Sequence, residues 1–119
     1  MRSDNQILIE SKAFALRIIR LYKYLTEKRQ SYILSKQILR SGTSIGANVR
    51  ESINAQSRND FINKLNVALK EANETEYWLE LLHESEILAD NEFDSIYNDC
   101  GKLAATLTKI IKTSKNLSA

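Results

Sequence analysis

The feature that most constrains the fold is a regular recurrence of apolar and small residues, which is cleanest in the second half of the chain. Its members are three or four positions apart: Phe61, Leu65, Ala68, Ala72, Thr75, Leu79 and Leu82. This spacing places side chains on one face of an α-helix, where they pack against other helices. Because the 119 residues include no proline and only three glycines, the composition favours long, uninterrupted helices.

Three further segments show the same periodicity and are separated by short polar breaks. Their inward stripes are Ile7, Ser11, Phe14, Ile18, Leu21 and Leu25; Ile38, Gly42, Ile45, Val49 and Ile53; and Phe93, Ile96, Cys100, Leu103, Leu107 and Ile110. We therefore expect helices over about residues 5–28, 32–56, 59–84 and 91–112. Four such helices with short connections predict one all-α domain over residues 1–119, an up-and-down antiparallel four-helix bundle.

Local signals at the helix ends support this division. The expected N-caps are Ser31, Ser57 and Asp90. Ser57 also forms a capping-box pattern with Asp60, three residues further on. Gly42 and Gly46 are unlike a phosphate loop, because no strand precedes them and no Gly-Lys-Ser/Thr follows. They instead predict a close approach between two helix backbones.

Charge is distributed unevenly, although the net charge is only +2. Residues 1–60 carry eleven Lys and Arg against five Asp and Glu, whereas residues 61–119 carry six against ten. The basic half either attracts a polyanion or pairs with the acidic half, within the bundle or between subunits. The candidate phosphate-contacting residues are cations of the basic half: Arg20, Lys23, Lys36, Arg40, Arg50 and Arg58.

The second and third helices carry unusual side chains away from their inward stripes. On a helical wheel Tyr77 and Leu81 lie almost opposite the stripe of the third helix, and Trp78 lies about 90° from it. Scattered exposed aromatics are common, but aromatics beside small and polar side chains are more typical of a protein interface. We predict an oligomer whose interface includes Asn48, Glu51, Lys70, Glu71, Glu74, Tyr77, Trp78 and Leu81.

The sequence contains no evident catalytic or metal-binding arrangement. Glu80-Leu81-Leu82-His83 matches one half of a di-iron motif, but His83 is the only histidine, so the second Glu-x-x-His cannot exist within the chain. Cys100 lies on an inward stripe, where a thiol usually serves as a small core residue. We expect no enzyme activity, no cofactor and no bound metal.

Cysteine use and hydropathy bear on the compartment. One cysteine rules out an internal disulfide and suits a reducing cytoplasm. No apolar run approaches the ~20 residues that span a bilayer. The N-terminal segment MRSDNQILIES has no apolar core of a secretion signal. These features predict a soluble cytoplasmic protein.

A set of motifs in the central part of the chain is more specific than a generic bundle requires. It comprises Leu39-Arg40-Ser41, Ser44-Ile45-Gly46-Ala47-Asn48-Val49, Asp60-Phe61, the run from Ala68 to Thr75, and Tyr77-Trp78-Leu79. These motifs resemble the four-helix-bundle family encoded by intervening sequences in 23S ribosomal RNA genes, in which many members have proline where this chain has Gly46. The resemblance extends over almost the whole chain. It implies a homopentamer and suggests RNA or DNA as a ligand.

Two functional hypotheses follow. The first is a non-enzymatic oligomeric bundle that binds structured RNA or DNA through phosphate contacts, with no base-reading motif and with avidity from repeated subunits. The alternative is a scaffold that docks another protein without direct nucleic-acid binding. In that case the basic residues pair with the acidic segment between Glu71 and Asp99.

Overall fold

The computed structural model describes the backbone of residues 2–118 and the side chains of residues 6–117. The described chain forms four helices and no strand: α1 (Arg2–Glu27), α2 (Tyr32–Ile53), α3 (Arg58–Glu84) and α4 (Asp90–Ser118). They pack side by side into a bundle that measures 48 × 21 × 20 Å. The all-α class and the four-helix bundle predicted from the sequence are confirmed.

Three helix ends differ clearly from the expected boundaries. The first is the start of α1, which lies at Arg2 rather than near residue 5. We expected α2 to reach residue 56, but it ends at Ile53, where the amides of Asn54 and Ala55 each donate a 3.1 Å hydrogen bond to the carbonyl three residues earlier. Such bonds tighten and close the last turn. We expected α4 to end near residue 112, but it continues to Ser118. Its last turns still pack on the bundle, since Ser114 is buried.

The helix caps agree only in part with expectation. The predicted cap at Ser57 is confirmed, because its Oγ accepts a 3.0 Å hydrogen bond from the amide of Asp60. Ser31 occupies the N-cap position of α2, but its side chain makes no capping hydrogen bond. Asp90 is the first residue of α4 rather than the residue before it. Its carboxylate instead lies 2.7 Å from Nε2 of His83.

Each helix packs against its neighbours in sequence, and α4 also packs against α1, whereas in the described part of the chain the backbones of α1 and α3, and those of α2 and α4, are separated across the core. This arrangement places one apolar core between the four helices. In the described part of the chain, no helix combines the length and hydropathy that crossing a membrane would require.

The inward stripes predicted for the helices match the buried core closely. All six residues predicted for α1 are buried, as are five of the six predicted for α4, where only Phe93 is half-buried. Ile53 in α2 was predicted inward but is 44% exposed, and Ser52 occupies the buried position beside it. In α3, Phe61 is half-buried while Ile62 points inward.

The close approach predicted at the two glycines of α2 is confirmed. A Cβ on Gly42 would lie 2.7 Å from Cγ1 of Ile18 in α1, and a Cβ on Gly46 would lie 3.2 Å from the carbonyl oxygen of Ser11. Real Cβ atoms almost never make a contact as short as the one at Gly42. The absence of side chains at these positions therefore sets the spacing of α1 and α2.

Candidate nucleic-acid interface

The six cations predicted to contact phosphates are exposed but do not form one patch. They lie on three helices: Arg20 and Lys23 on α1; Lys36, Arg40 and Arg50 on α2; and Arg58 at the start of α3. Within the described side chains, all except Arg40 are free of ion pairs. The charges of the other five are therefore available to a ligand.

The outer surface of α1 and α2 brings two of these cations to the same level of the bundle. Ile18 faces Gly42 across the α1–α2 seam, and five or six residues along each helix from this contact lie Lys23 and Lys36. Both side chains point away from the core and are exposed. Arg50 lies about 21 Å further along α2, at 1.5 Å per residue. The result is an elongated row of separate positive charges.

Arg40 is engaged with the acidic half of the chain. Its Nη1 lies 3.3 Å from Oε1 of Glu71, and its Nη2 contacts the carboxylate of Glu74. Nε1 of Trp78 donates a 3.2 Å hydrogen bond to the same Glu74 oxygen. The ring of Tyr77 lies 5.2 Å from that of Trp78. Arg40 therefore joins α2 to α3, and its charge is partly neutralised there.

A second cross-helix ion cluster, centred on Arg17, was not anticipated from the sequence. Its guanidinium lies 2.7 Å from Asp99 and 3.1 Å from Glu92, and it donates a 2.9 Å hydrogen bond to Ser95. Burial of the group lowers its pKa, but the hydrogen bonds and charges of the two carboxylates outweigh this and raise the pKa above its ordinary value. Arg17 borders the inward stripe of α1, which is the only signal the sequence offers.

The residues predicted for an oligomer interface fall into two groups. Asn48 donates a 2.8 Å hydrogen bond to the carbonyl of Ser44, and Glu51 pairs with Lys64 at 3.2 Å. These two, like Glu71 and Glu74, have partners within the chain. Lys70 and Tyr77 remain exposed, whereas Trp78 and Leu81 are half-buried. The exposed part of this face is therefore smaller than the predicted set.

A buried polar contact links α2 and α3 beneath the Arg40 cluster. The hydroxyls of Thr75 and Ser41 lie 2.8 Å apart, and both residues are fully buried. Thr75 also lies 2.8 Å from the carbonyl of Glu71 in its own helix. Because an apolar environment makes an unpaired hydroxyl costly, this contact favours one register of α2 against α3.

Replacing Thr75 with valine is expected to lower the free energy of unfolding by about 1–2 kcal/mol, because the Ser41 hydroxyl loses its cross-helix partner while the shape is kept. The double variant Ser41→Ala/Thr75→Val should lose less than the sum of the two single variants. Urea unfolding measures all three. Thr108→Val is the control, since among the described residues that hydroxyl bonds only to the carbonyl of Ala104, in its own helix. Strict additivity of the two single effects would contradict a coupled pair.

The groups considered for catalysis or metal binding have other partners. Nε2 of His83 bonds to Asp90, and the imidazole stacks on Phe93 with 4.1 Å between ring centroids. Glu80 accepts a 2.7 Å hydrogen bond from Tyr97, which, with burial, raises the pKa of Tyr97 to about 12. The Cys100 thiol donates to the carbonyl of Ala72 at 3.4 Å.

In the part of the chain that the structure describes, no three His, Cys, Asp or Glu side chains are grouped so as to hold a metal ion. Glu80 and His83, which the sequence places in one motif, are drawn to different partners on α4. These side chains therefore stabilise the seam between α3 and α4.

The fold and the surface together define a class: a small helical bundle with polar, ion-paired seams and separate cationic outer faces. The chain belongs to the 23S rRNA-intervening sequence protein family, whose model matches residues 3–109. This confirms the family resemblance seen in the central motifs.

A solved structure supports the same family assignment. The chain is similar to a protein of unknown function of the S23 ribosomal protein family from Bacteroides thetaiotaomicron VPI-5482, whose crystal structure was determined at 1.70 Å resolution. The two are 56% identical with a TM-score of 0.91, and the match covers 92% of this chain and 98% of that chain. No curated protein matches.

Proposed function

We propose that the protein is a non-enzymatic, oligomeric bundle that binds RNA or DNA through phosphate contacts. The observation that supports this proposal best is a row of cations on the outer surface of α1 and α2 that form no ion pair with a described side chain, with Lys23 and Lys36 at one level and Arg50 further along. Phosphate groups are the ligand that separate, exposed cations along a helix face suit, because they repeat along a strand. The family name and the ribosomal name of the solved relative point to RNA.

The proposed topology is up-and-down and antiparallel. Contacts between neighbouring helices run in reversed order along the chain: Ser11 and Ile18 face Gly46 and Gly42. The connections between the helices contain only four or five residues, which suits antiparallel neighbours.

The proposed assembly is a homopentamer in the cytoplasm. The exposed side chains of Lys70 and Tyr77 supply part of the contact between subunits. A ring repeats each cationic row, so that weak phosphate contacts add through avidity. This matters because one row supplies only a few charges.

A second candidate function is a protein-interaction scaffold, and specific contacts favour it. Arg40 pairs with Glu71 and Glu74, and Arg17 pairs with Glu92 and Asp99, so part of the basic half is used inside the bundle. If the remaining cations also pair with acidic residues of other subunits or of a partner, no charge is left for phosphates. The two functions therefore differ in whether Lys23 and Lys36 are accessible in the assembled protein.

Fluorescence anisotropy with a structured RNA and a DNA duplex, at several salt concentrations, tests the first function. Affinity is expected to fall steeply with salt. For the variant Lys23→Gln/Lys36→Gln, the slope of log K against log salt concentration should be shallower by about 2. The reason is that each substitution removes the charge that neutralises one phosphate. Arg40→Gln is the control, because its charge is already paired, and it should change the slope much less.

Light scattering in the same buffers gives the number of 13.6 kDa chains in the assembly. Absence of binding at about 50 mM salt by an assembled protein would exclude the nucleic-acid function, since phosphate contacts are strongest at low salt. It would leave the scaffold as the function to pursue. A monomer would contradict the proposed pentamer.

A further inference from the structure

A groove opens where α1, the start of α3 and the last turns of α4 meet, at one end of the bundle. It encloses about 640 Å³. Its lining includes the apolar side chains of Phe61, Ile110 and Leu117 and the charged side chains of Arg58, Lys109 and Glu10. Its volume lies within the range of roughly 300–1,000 Å³ that small-molecule sites occupy.

The apolar lining contains an accessible aromatic ring. Phe61 is half-buried rather than part of the closed core, and Leu117 is 67% exposed. Ile110, which also lines the groove, is buried. An accessible ring with aliphatic neighbours provides a flat apolar surface, which is the kind of surface that nucleic-acid bases stack on.

Two cations belong to the same groove. Arg58 and Lys109 come from different helices, both are exposed, and neither makes an ion pair with any described side chain. The carboxylate among the described lining residues, Glu10, accepts a 3.0 Å hydrogen bond from Gln6. The groove therefore combines an apolar lining with an excess of positive charge. An uncharged apolar ligand would contact the lining but would leave the two cations without a partner.

We propose that this groove binds one unpaired nucleotide of a nucleic-acid strand, with its base against Phe61 and its phosphate at Arg58 and Lys109. The inference rests on the proposed nucleic-acid function and specifies the form of ligand at this site. The outward cations of α1 and α2 contact only a backbone, and therefore accept duplex and single strand alike. A recessed groove accepts a base only where that base is free of its pairing partner.

Calorimetric titration of the full-length, assembled protein with adenosine 5′-monophosphate tests the site, with adenosine and inorganic phosphate as the two halves of the ligand. The nucleotide is expected to bind, and each half alone should bind at least about tenfold more weakly, because each half makes only one of the two kinds of contact. Phe61→Leu and Lys109→Gln should each weaken nucleotide binding by at least about fivefold.

Matched controls are available elsewhere in the bundle. Phe93 is also half-buried but stacks on His83 in the α3–α4 seam, and Lys28 is an exposed cation just after α1, at the opposite end of the bundle from the groove. Phe93→Leu and Lys28→Gln should leave nucleotide affinity unchanged. Circular dichroism melting shows whether Phe61→Leu remains folded, and Lys109→Gln tests the site through a surface residue if it does not.

The outcomes separate this site from the general function. Nucleotide binding that is undetectable at about 10 mM ligand, or unaffected by Phe61→Leu in a folded protein, would overturn the groove. If RNA still bound with a slope that depends on Lys23 and Lys36, the proposed function would stand without it. A change of assembly mass in Phe61→Leu, together with absence of nucleotide binding, would show that a second copy of the chain covers the groove instead.

Discussion

Between about pH 8 and pH 11 the protein is expected to lose about 3 kcal/mol of its free energy of unfolding through one thiol, that of Cys100. The side chain is completely buried, and burial, with smaller effects from the charges of Glu76 and Asp99, raises its pKa from 9.0 to about 12. Urea unfolding at intervals of one pH unit, followed by circular dichroism, measures the loss.

The free energy of unfolding falls as the pH rises because the unfolded chain releases the thiol proton first. The folded pKa of Cys100 is higher than the unfolded one, so the native state still binds the proton at pH values where the unfolded chain has lost it. The contribution of the protonated thiol is therefore fully present below about pH 8, and it declines by about 1.4 kcal/mol for each pH unit between 9.0 and about 12.

The variant Cys100→Ala isolates this contribution from the titration of other groups. Alanine removes the thiol, so the difference between wild type and variant should shrink or reverse as the pH rises. Tyr97→Phe is measured alongside, because its raised pKa, due first to the hydrogen bond with Glu80, acts in the same direction, although water screens it more. A difference between wild type and Cys100→Ala that stays constant from about pH 8 to pH 11 would contradict the expected effect.

The fold could be read from the sequence because one physical signal dominates it. An amphipathic helix in a small bundle has a single inward direction, and residues three or four apart share it. The stripe of α1 was therefore predicted completely. The stripe of α2 failed at Ile53, because its end is set by hydrogen bonds of the last turn rather than by hydropathy. Hydropathy also missed the extension of α4 to Ser118, because the final residues of this helix are polar apart from Leu117.

The candidate site was less predictable, because a helical wheel gives the direction of a side chain but not its partner. Arg40 and Lys36 are four residues apart, and both were expected to face solvent. Arg40 pairs with Glu71 and Glu74 because α3 passes beside it, whereas Lys36 lies where the described part of α3 offers no acidic side chain within ion-pairing distance. Long-range pairs of this kind depend on the register of two helices.

The same limit applies to the groove near Phe61. Periodicity assigned this residue to the inward stripe of α3, but Ile62 takes the buried position and leaves the Phe61 ring half-buried. Lys109 is distant from Phe61 in the chain, and the two residues line one groove only in the folded bundle. The distance between α1 and α2, by contrast, was indicated directly by two glycines, and this makes it the most testable part of the core.

Replacing Gly42 with valine is expected to lower the free energy of unfolding by about 2–3 kcal/mol. The new Cβ alone would lie 2.7–3.0 Å from three side-chain carbons of Ile18, and that residue is fully buried and cannot turn towards solvent. The α1 and α2 backbones must then separate, which loosens the packing on both sides of the contact. Thermal and urea unfolding give the loss, with retention of helical circular dichroism showing that the fold is kept.

Two comparisons show whether the contact itself is the cause. Gly101→Ala adds a Cβ whose nearest neighbour is Glu76 Oε2 at 3.8 Å, so this variant should be more stable than Gly42→Ala by about 1–3 kcal/mol, although both gain the same helix propensity. Trimming the opposing side chain should relieve the clash, so Ile18→Ala/Gly42→Val should lose less stability than the two single changes added together. If the two alanine variants were equally stable and the double variant additive, the spacing of α1 and α2 would not depend on Gly42.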